Sequence, residues 1–396
     1  MDPQGQWQNK FQALIDAFVN NFSQKREHGA ALCVFQNGEK VVDVWAGMAD
    51  LKTRKMWQQD TLVTIFSVTK ALTALCFLIL ALRKKFDYDK PVAYYWPEFA
   101  LRGKNNISCR LLLEHRASLY AIDTPLMLYD YVENPTKVYN TLIHQQPLAV
   151  PGSLQGYGAQ AWGMYAGALF QKITGESVGV FFAREVAAPL KVDAFIGLPH
   201  GLQNKMATIY PVTAIERLVG VIPDLLCGDT TEGRIARAFI SGNTSIKQAY
   251  MNPSTGDKGI DVLNDPILRE IELPWVNGVS NARSLAIIMA VFAQGGKAYG
   301  VTFADAPLMQ TLIRENKLRD DLVLQKRLGW NLGFLKEETH LFSPNTETFG
   351  HSGMGGSLAF ADPKVRVSFA YTCNKMDAKI RPDKTLALCH ALYKCV

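Results

Sequence analysis

The chain has 396 residues, 48% of them hydrophobic and 20% charged, with a formal net charge of +6. Such a chain can bury a large core as a soluble globular protein. The basic excess is mild and spread out, and no nucleic-acid-binding module accompanies it, so no nucleic-acid partner is expected.

In chain order, Met1 to Gln8 is polar. Residues 7–26 read as an amphipathic helix, with Phe11, Leu14, Ile15, Phe18 and Val19 at helical spacing. No secretory signal is visible, so a cytoplasmic location is expected. Ala31 to Trp45 reads as a hairpin, because Asn37-Gly38 separates two β-rich runs. The most apolar run, Ala71 to Leu82, is shorter than the ~20 residues that span a membrane. It predicts a buried helix over 67–85, with no membrane partner. From Lys90 to about Glu272, helical patches are broken by Pro91, Pro97, Pro125, Pro151-Gly152, Pro223 and Pro253. Residues 228–260 are polar and Gly-rich and read as a mobile surface region. Ser357 to Ala361 and Val365 to Tyr371 read as strands around the turn at Asp362-Pro363, and Asp383 to Tyr393 reads as a last helix.

Strands at both ends with helices between predict an α+β fold. One antiparallel sheet is flanked by N- and C-terminal helices, with a mostly helical lobe inserted. The seven cysteines, Cys33, Cys76, Cys109, Cys227, Cys373, Cys389 and Cys395, are odd in number and scattered, and read as reduced thiols.

Chemistry centres on Ser67-Val-Thr-Lys70, one helical turn that puts a hydroxyl beside an amine. Burial lowers a lysine pKa, and a neutral lysine accepts a proton from serine or from a tyrosine. The bare pattern is weak, since an N-cap serine followed by a snorkelling lysine has the same spelling. The apolar flank Ala71 to Leu82 gives it weight, because a lysine there has little access to water.

These residues, with others in order, resemble the serine hydrolases related to class C β-lactamases and penicillin-binding proteins, especially the family VIII carboxylesterases. Lys90 to Phe99, Leu111 to Leu119, Pro151 to Ala159 with Ile173-Thr-Gly175, and Phe349 to Ser357 with Phe360 to Pro363 carry the likeness. It implies a β-lactamase/transpeptidase-like fold as a single domain over 1–396. An α/β lobe is expected at approximately 1–95 and 273–396, and a helical lobe at approximately 96–272. Ser67, Lys70 and Tyr157 are the implied catalytic residues, with the amides of Ser67 and Met354 as the oxyanion hole. His351, Ser352 and Gly353 are the implied substrate-binding strand. Trp275, Tyr120 and Met354 are apolar candidates for a modest acyl pocket. The sequence does not choose between Lys70 and Tyr157 as the formal base.

Three positions depart from the β-lactamase pattern. Ala159 replaces the asparagine of Tyr-x-Asn, and His351 replaces the cation of Lys-Thr-Gly. Both changes remove contacts to a β-lactam. Ser118 stands where glycine is usual. The expectation is therefore a hydrolase of small carboxylic esters acting through an acyl-enzyme on Ser67. The alternatives are β-lactamase or D-amino-acid peptidase chemistry, acyl transfer on the same site, or a non-catalytic scaffold.

Rival sites are poor. Position 354 is Met, so Gly350-His-Ser-Gly is no nucleophile elbow. Glu114-His115 and Cys389-His390 read as structural. No His-Glu-x-x-His, zinc spacing or phosphate loop is present, so no metal or cofactor is expected.

Overall fold

The computed structural model describes residues 2–213, 216, 230–315, 318–336 and 341–396. Pro223, Cys227 and residues 228–229 lie outside them. Among the described residues, a nine-stranded antiparallel sheet runs Gln4–Trp7, Glu39–Asp50, Gly29–Gln36, Val367–Cys373, Leu358–Asp362, Phe349–Ser352, Phe334–Lys336, Trp330–Asn331, with Lys55–Met56 beside Glu39–Asp50.

The two ends of the chain meet at the centre of this sheet, where Val367–Cys373 pairs with Gly29–Gln36 (Tyr371 opposite Leu32, Ala370 opposite Cys33). Side chains alternate between faces with a period of two. Leu32, Val34, Val42, Val44, Phe369 and Tyr371 therefore turn to one side, where they pack on Phe11, Leu14, Phe18 and Leu388. Leu14 and Phe18 come from the helix Gln12–Ser23 and Leu388 from the helix Asp383–Leu392, while Phe11 caps the first of them. Ala31, Cys33, Phe35 and Ala370 turn to the other side, into the larger core that includes the helix Ala282–Ala293. Burial on both faces explains the nearly unbroken apolar run from Ala30 to Phe35. The predicted hairpin forms, with Asn37 at φ 53° and Gly38 at φ 84°, the two left-handed residues that a tight primed turn requires.

The N-terminus differs from the sequence expectation. Trp7 belongs to an exposed edge strand paired with Glu39–Asp50, and the α-helix proper begins at Gln12. A polar edge strand is held by backbone hydrogen bonds, which leave no hydrophobic pattern to read.

The helix Val68–Leu82 forms the second layer, and every residue from Val68 to Leu80 is buried. It packs on the strands Phe334–Lys336 and Phe349–Ser352 and on the helices Ala161–Thr174 and Val178–Phe182. A small sheet of Val63–Thr64, Gly278–Ser280 and Ala194–Ile196 grips the chain just before it.

Residues 230–260 are more ordered than the composition of that stretch suggests. The stretch holds helices Thr231–Ile240 and Thr244–Met251, with Ile246 and Ala249 buried. Part of its polarity is capping: Thr230 and Asn243 accept from Gly233 and Ile246 amides. Asn252 then donates to the carbonyls of Ile122 and Thr124 at 2.8 and 2.9 Å, fastening the segment to the rest of the chain. Among the described residues, Cys33, Cys76, Cys109, Cys373 and Cys395 are free thiols. No helix among the described residues is long and apolar enough to cross a membrane.

Candidate active site

The approach to Ser67 is strained and braced. Phe66, buried, sits at φ 50°, a left-handed conformation that costs a bulky residue about 1–3 kcal/mol. Thr69, inside the Ser-x-x-Lys turn, holds it there. Its amide and hydroxyl both donate to the Phe66 carbonyl, at 2.9 and 2.5 Å, and its Oγ1 accepts from the Gly278 amide at 2.9 Å. The Ile65 amide donates to the Gly278 carbonyl at 2.8 Å. The small sheet thus fixes where the helix starts.

Ser67 precedes that helix without capping it by its side chain. Its Oγ lies 3.2 Å from Lys70 Nζ and 3.0 Å from the Tyr157 hydroxyl. Lys70 does not snorkel: it is fully buried. Its Nζ also lies 2.8 Å from the Ala159 carbonyl, 3.1 Å from the Trp275 carbonyl and 5.1 Å above the Tyr157 ring. No carboxylate pairs with it among the described residues, and burial holds its pKa well below the usual lysine value. A neutral amine has two N–H donors and one lone pair. The two carbonyls take the donors, which leaves the lone pair for the Ser67 hydroxyl.

Tyr157 is buried, and burial pushes its phenol pKa up, so it keeps its proton. Its ring stacks on Trp330 at 5.8 Å and 9°. Its amide donates to Asp321 Oδ1 at 3.1 Å. Asp321 is a site residue that the sequence did not reveal. Its buried carboxylate also accepts from the amides of Val323 and Leu324 and from Gln155 Nε2. It thereby ties the Tyr157 turn to the hairpin Arg319–Leu328. A lone aspartate in a polar run carries no pattern that would have marked it.

The strand Phe349–Ser352 brings the remaining candidates alongside. Gly353 earns its place by close approach, since a Cβ there would stand 2.4 Å from the Ile65 carbonyl oxygen. That contact seats the following turn, with Met354, against the segment leading into Ser67. The Ser67 and Met354 amides have no hydrogen-bond partner among the described residues. Free N–H groups of this kind suit an oxyanion. The Met354 side chain is half exposed.

His351 is buried, with Nδ1 2.7 Å from the Ser352 carbonyl. Nδ1 therefore carries the hydrogen, and Nε2 is an acceptor without a partner among the described residues. Burial lowers its pKa, so it is neutral and supplies no cation. Ser352 is half-buried.

Trp275 meets the site through its carbonyl; its indole packs on Gly163 and Tyr131. Tyr120 is buried against Gly156, beside the Tyr157 turn. His115 is a wedge. Its ring lies 4.2 Å from Trp330 and 5.0 Å from Tyr157, and its Nδ1 accepts from the Gly158 amide at 3.1 Å. Burial keeps it neutral too. Ser118 adopts φ 57°, so the conformation expected of glycine is present on a serine, whose hydroxyl lies 3.3 Å from the Val150 carbonyl.

A cavity of about 800 Å³ lies behind this mount, lined by Leu154, Gln155, Asp321, Arg234 and Arg381 among others; Ser67 is not in its wall. Among the described residues no group of three or more His, Cys, Asp and Glu side chains could hold a metal ion.

Comparisons with known proteins identify the family and the fold. A family model described as Beta-lactamase matches residues 11–392. Esterase/beta-lactamase LipL of Mycobacterium tuberculosis is 31% identical over 379 residues, spanning 93% of this chain and 82% of its own. A crystal structure of a family VIII carboxylesterase superposes with a TM-score of 0.85 at 31% identity, over the whole of both chains. A penicillin-binding protein homologue from Caulobacter crescentus does so with a TM-score of 0.85 at 30% identity, again over the whole of both chains.

Proposed function

The chain belongs to the beta-lactamase family, and on that premise we propose that it is a serine carboxylesterase working through an acyl-enzyme on Ser67. The observation that carries this reading is the company kept by Ser67 Oγ: a buried amine without a counter-charge on one side and a protonated phenol on the other.

The neutral Lys70 takes the Ser67 proton as Oγ attacks the ester carbonyl. Negative charge passes to the carbonyl oxygen, which the Ser67 and Met354 amides stabilise. As the tetrahedral adduct collapses, the C–O bond to the alcohol breaks. Tyr157 protonates the departing alkoxide, and the proton held on Lys70 replaces the one that Tyr157 gave. Water then attacks the acyl-enzyme, losing its proton to the same pair, and the carboxylic acid leaves with Ser67 restored. The opposite pKa directions of Lys70 and Tyr157 favour the lysine as resting base and the tyrosine as acid.

Esters are favoured over β-lactams by two positions. Ala159 offers Lys70 a carbonyl but has no side-chain amide for a lactam, and the neutral His351 has no charge for a lactam carboxylate. The joint name of the LipL relative keeps β-lactam hydrolysis as the second reading, which nitrocefin turnover faster than butyrate-ester turnover would favour.

The test is Ser67→Ala assayed on p-nitrophenyl butyrate, with intact-mass analysis after a fluorophosphonate probe. Hydrolysis and labelling are both expected to vanish while the fold persists. Activity within tenfold of the wild type removes Ser67 as nucleophile. A wild-type protein that neither turns over esters nor takes the label is a scaffold that has kept the fold.

A further inference from the structure

The turn that carries Met354 is closed by two hydrogen bonds of its own, from the Gly353 amide to the Ser357 carbonyl at 2.6 Å and from the Gly356 amide to the Gly353 carbonyl at 3.3 Å. It runs from Gly353 to Ser357, three of its residues are glycine, and Gly355 and Gly356 hold φ 83° and 120°. Glycine reaches such values freely and leaves them as freely. Those two bonds leave the Gly355-Gly356 backbone to glycine's freedom, so the aim of the Met354 amide depends also on what lies behind the turn.

Behind it stands a set of side chains from distant parts of the chain. Thr385 Oγ1 donates to the Gly356 carbonyl at 2.8 Å. Cys373 Sγ lies 3.5 Å from the Gly355 carbonyl. A Cβ on Gly356 would stand 2.9 Å from Lys384 Cε, and one on Gly355 would stand 2.5 Å from Met376 Sδ, so the turn rests directly on both.

Lys384 is in turn fixed from every side. It has no exposure to solvent, and neither has its partner Glu27, 2.8 Å from Nζ. Its Nζ also reaches the Lys375 carbonyl at 2.6 Å, and its own carbonyl accepts from Asn21 Nδ2 at 3.0 Å. The Tyr371 hydroxyl donates to the same Glu27 oxygen. A fully buried ion pair is a poor source of stability, since an apolar pair of similar volume often serves as well or better. Its position behind a glycine turn at the active site supplies a different reason for it.

We propose that Thr385, seated by the buried Lys384–Glu27 pair, is a positioning residue that holds the Gly355-Gly356 turn and so aims the Met354 amide at the oxyanion. This rests on the esterase reading above. Thr385 touches no reacting atom; it acts through the turn alone.

The experiment compares Thr385→Val and Thr385→Ser with the wild type. The readouts are kcat and KM on p-nitrophenyl butyrate and the inhibition constant of a short alkyl trifluoromethyl ketone, whose adduct with Ser67 places an oxyanion in the same hole. Thr385→Val is expected to lose about 10- to 100-fold in kcat with KM within about twofold, because the lost interaction matters only when charge develops. The ketone should weaken by the same factor, and Thr385→Ser should restore both. A purely structural threonine would lower the melting temperature without moving kcat and ketone affinity together. Should Thr385→Val not fold, Thr385→Ala, which cannot clash, is read on the same criteria. A valine variant with near-normal kcat, or one that loses kcat at unchanged ketone affinity, overturns the inference while leaving the esterase intact. A wild type that neither hydrolyses the ester nor binds the ketone overturns the esterase reading first.

Discussion

Two of the wholly buried lysines, Lys70 and Lys384, have surroundings that give them opposite work. Lys70 faces a hydroxyl and two carbonyls and has no acidic partner among the described residues. Lys384 faces the carboxylate of Glu27. Desolvation acts on both, but only Lys384 has an anion to offset it, so its pKa ends above the ordinary value while that of Lys70 ends far below. Burial alone therefore does not make a lysine a base; burial without a counter-charge does.

Removing the counter-charge is the harshest way to break that contrast. Glu27→Gln leaves Lys384 as a lone buried cation and should destabilise the fold by about 3–5 kcal/mol, read as a lower urea midpoint at unchanged slope. A midpoint equal to that of the wild type would mean that Lys384 needs no anion. On the other side, Lys70→Met and Tyr157→Phe should each lower kcat/KM at least about 100-fold, a loss of roughly 2.7 kcal/mol of transition-state stabilisation. Lys70→Met should also melt no lower than the wild type, since it removes a buried amine that no charge supports. A variant of either kind with near-normal turnover takes that residue out of the chemistry.

The smallest effect concerns the neutral imidazoles. His115 is held neutral in the fold, whereas the unfolded chain takes up a proton below its ordinary pKa of 6.5. The unfolded state then binds more protons, so this residue costs stability as pH falls below 6.5. Between pH 6.5 and 5.5 the cost is about 1 kcal/mol. His115→Phe should lose that part of the slope, and the comparison with wild type cancels titrations common to both. Identical slopes would show that His115 is protonated in the folded protein.

What could be read from the sequence was local. The Asn37-Gly38 turn and the Ser67–Lys70 turn each lie within a few residues, where chain geometry decides which groups meet. Linking them to Tyr157 and to the strand of His351 took a family likeness, because no short-range pattern joins residues 67 and 157. Asp321, Glu27 and Lys384 escaped for a related reason. Each looks like an ordinary surface charge until the fold supplies its partner, and Glu27 meets Lys384 across nearly the whole chain. The strained Phe66 was equally hidden, whereas the left-handed Ser118 was marked only by standing where glycine is usual in the family.

The pairing of Gly29–Gln36 with Val367–Cys373 has a consequence for how this protein is made. The early hairpin leaves the ribosome with one apolar edge unpaired, and the strand that covers it lies more than three hundred residues downstream. At roughly 5–20 residues per second, the wait lasts tens of seconds. During synthesis that edge is open to aggregation, and a natural place for a chaperone to bind.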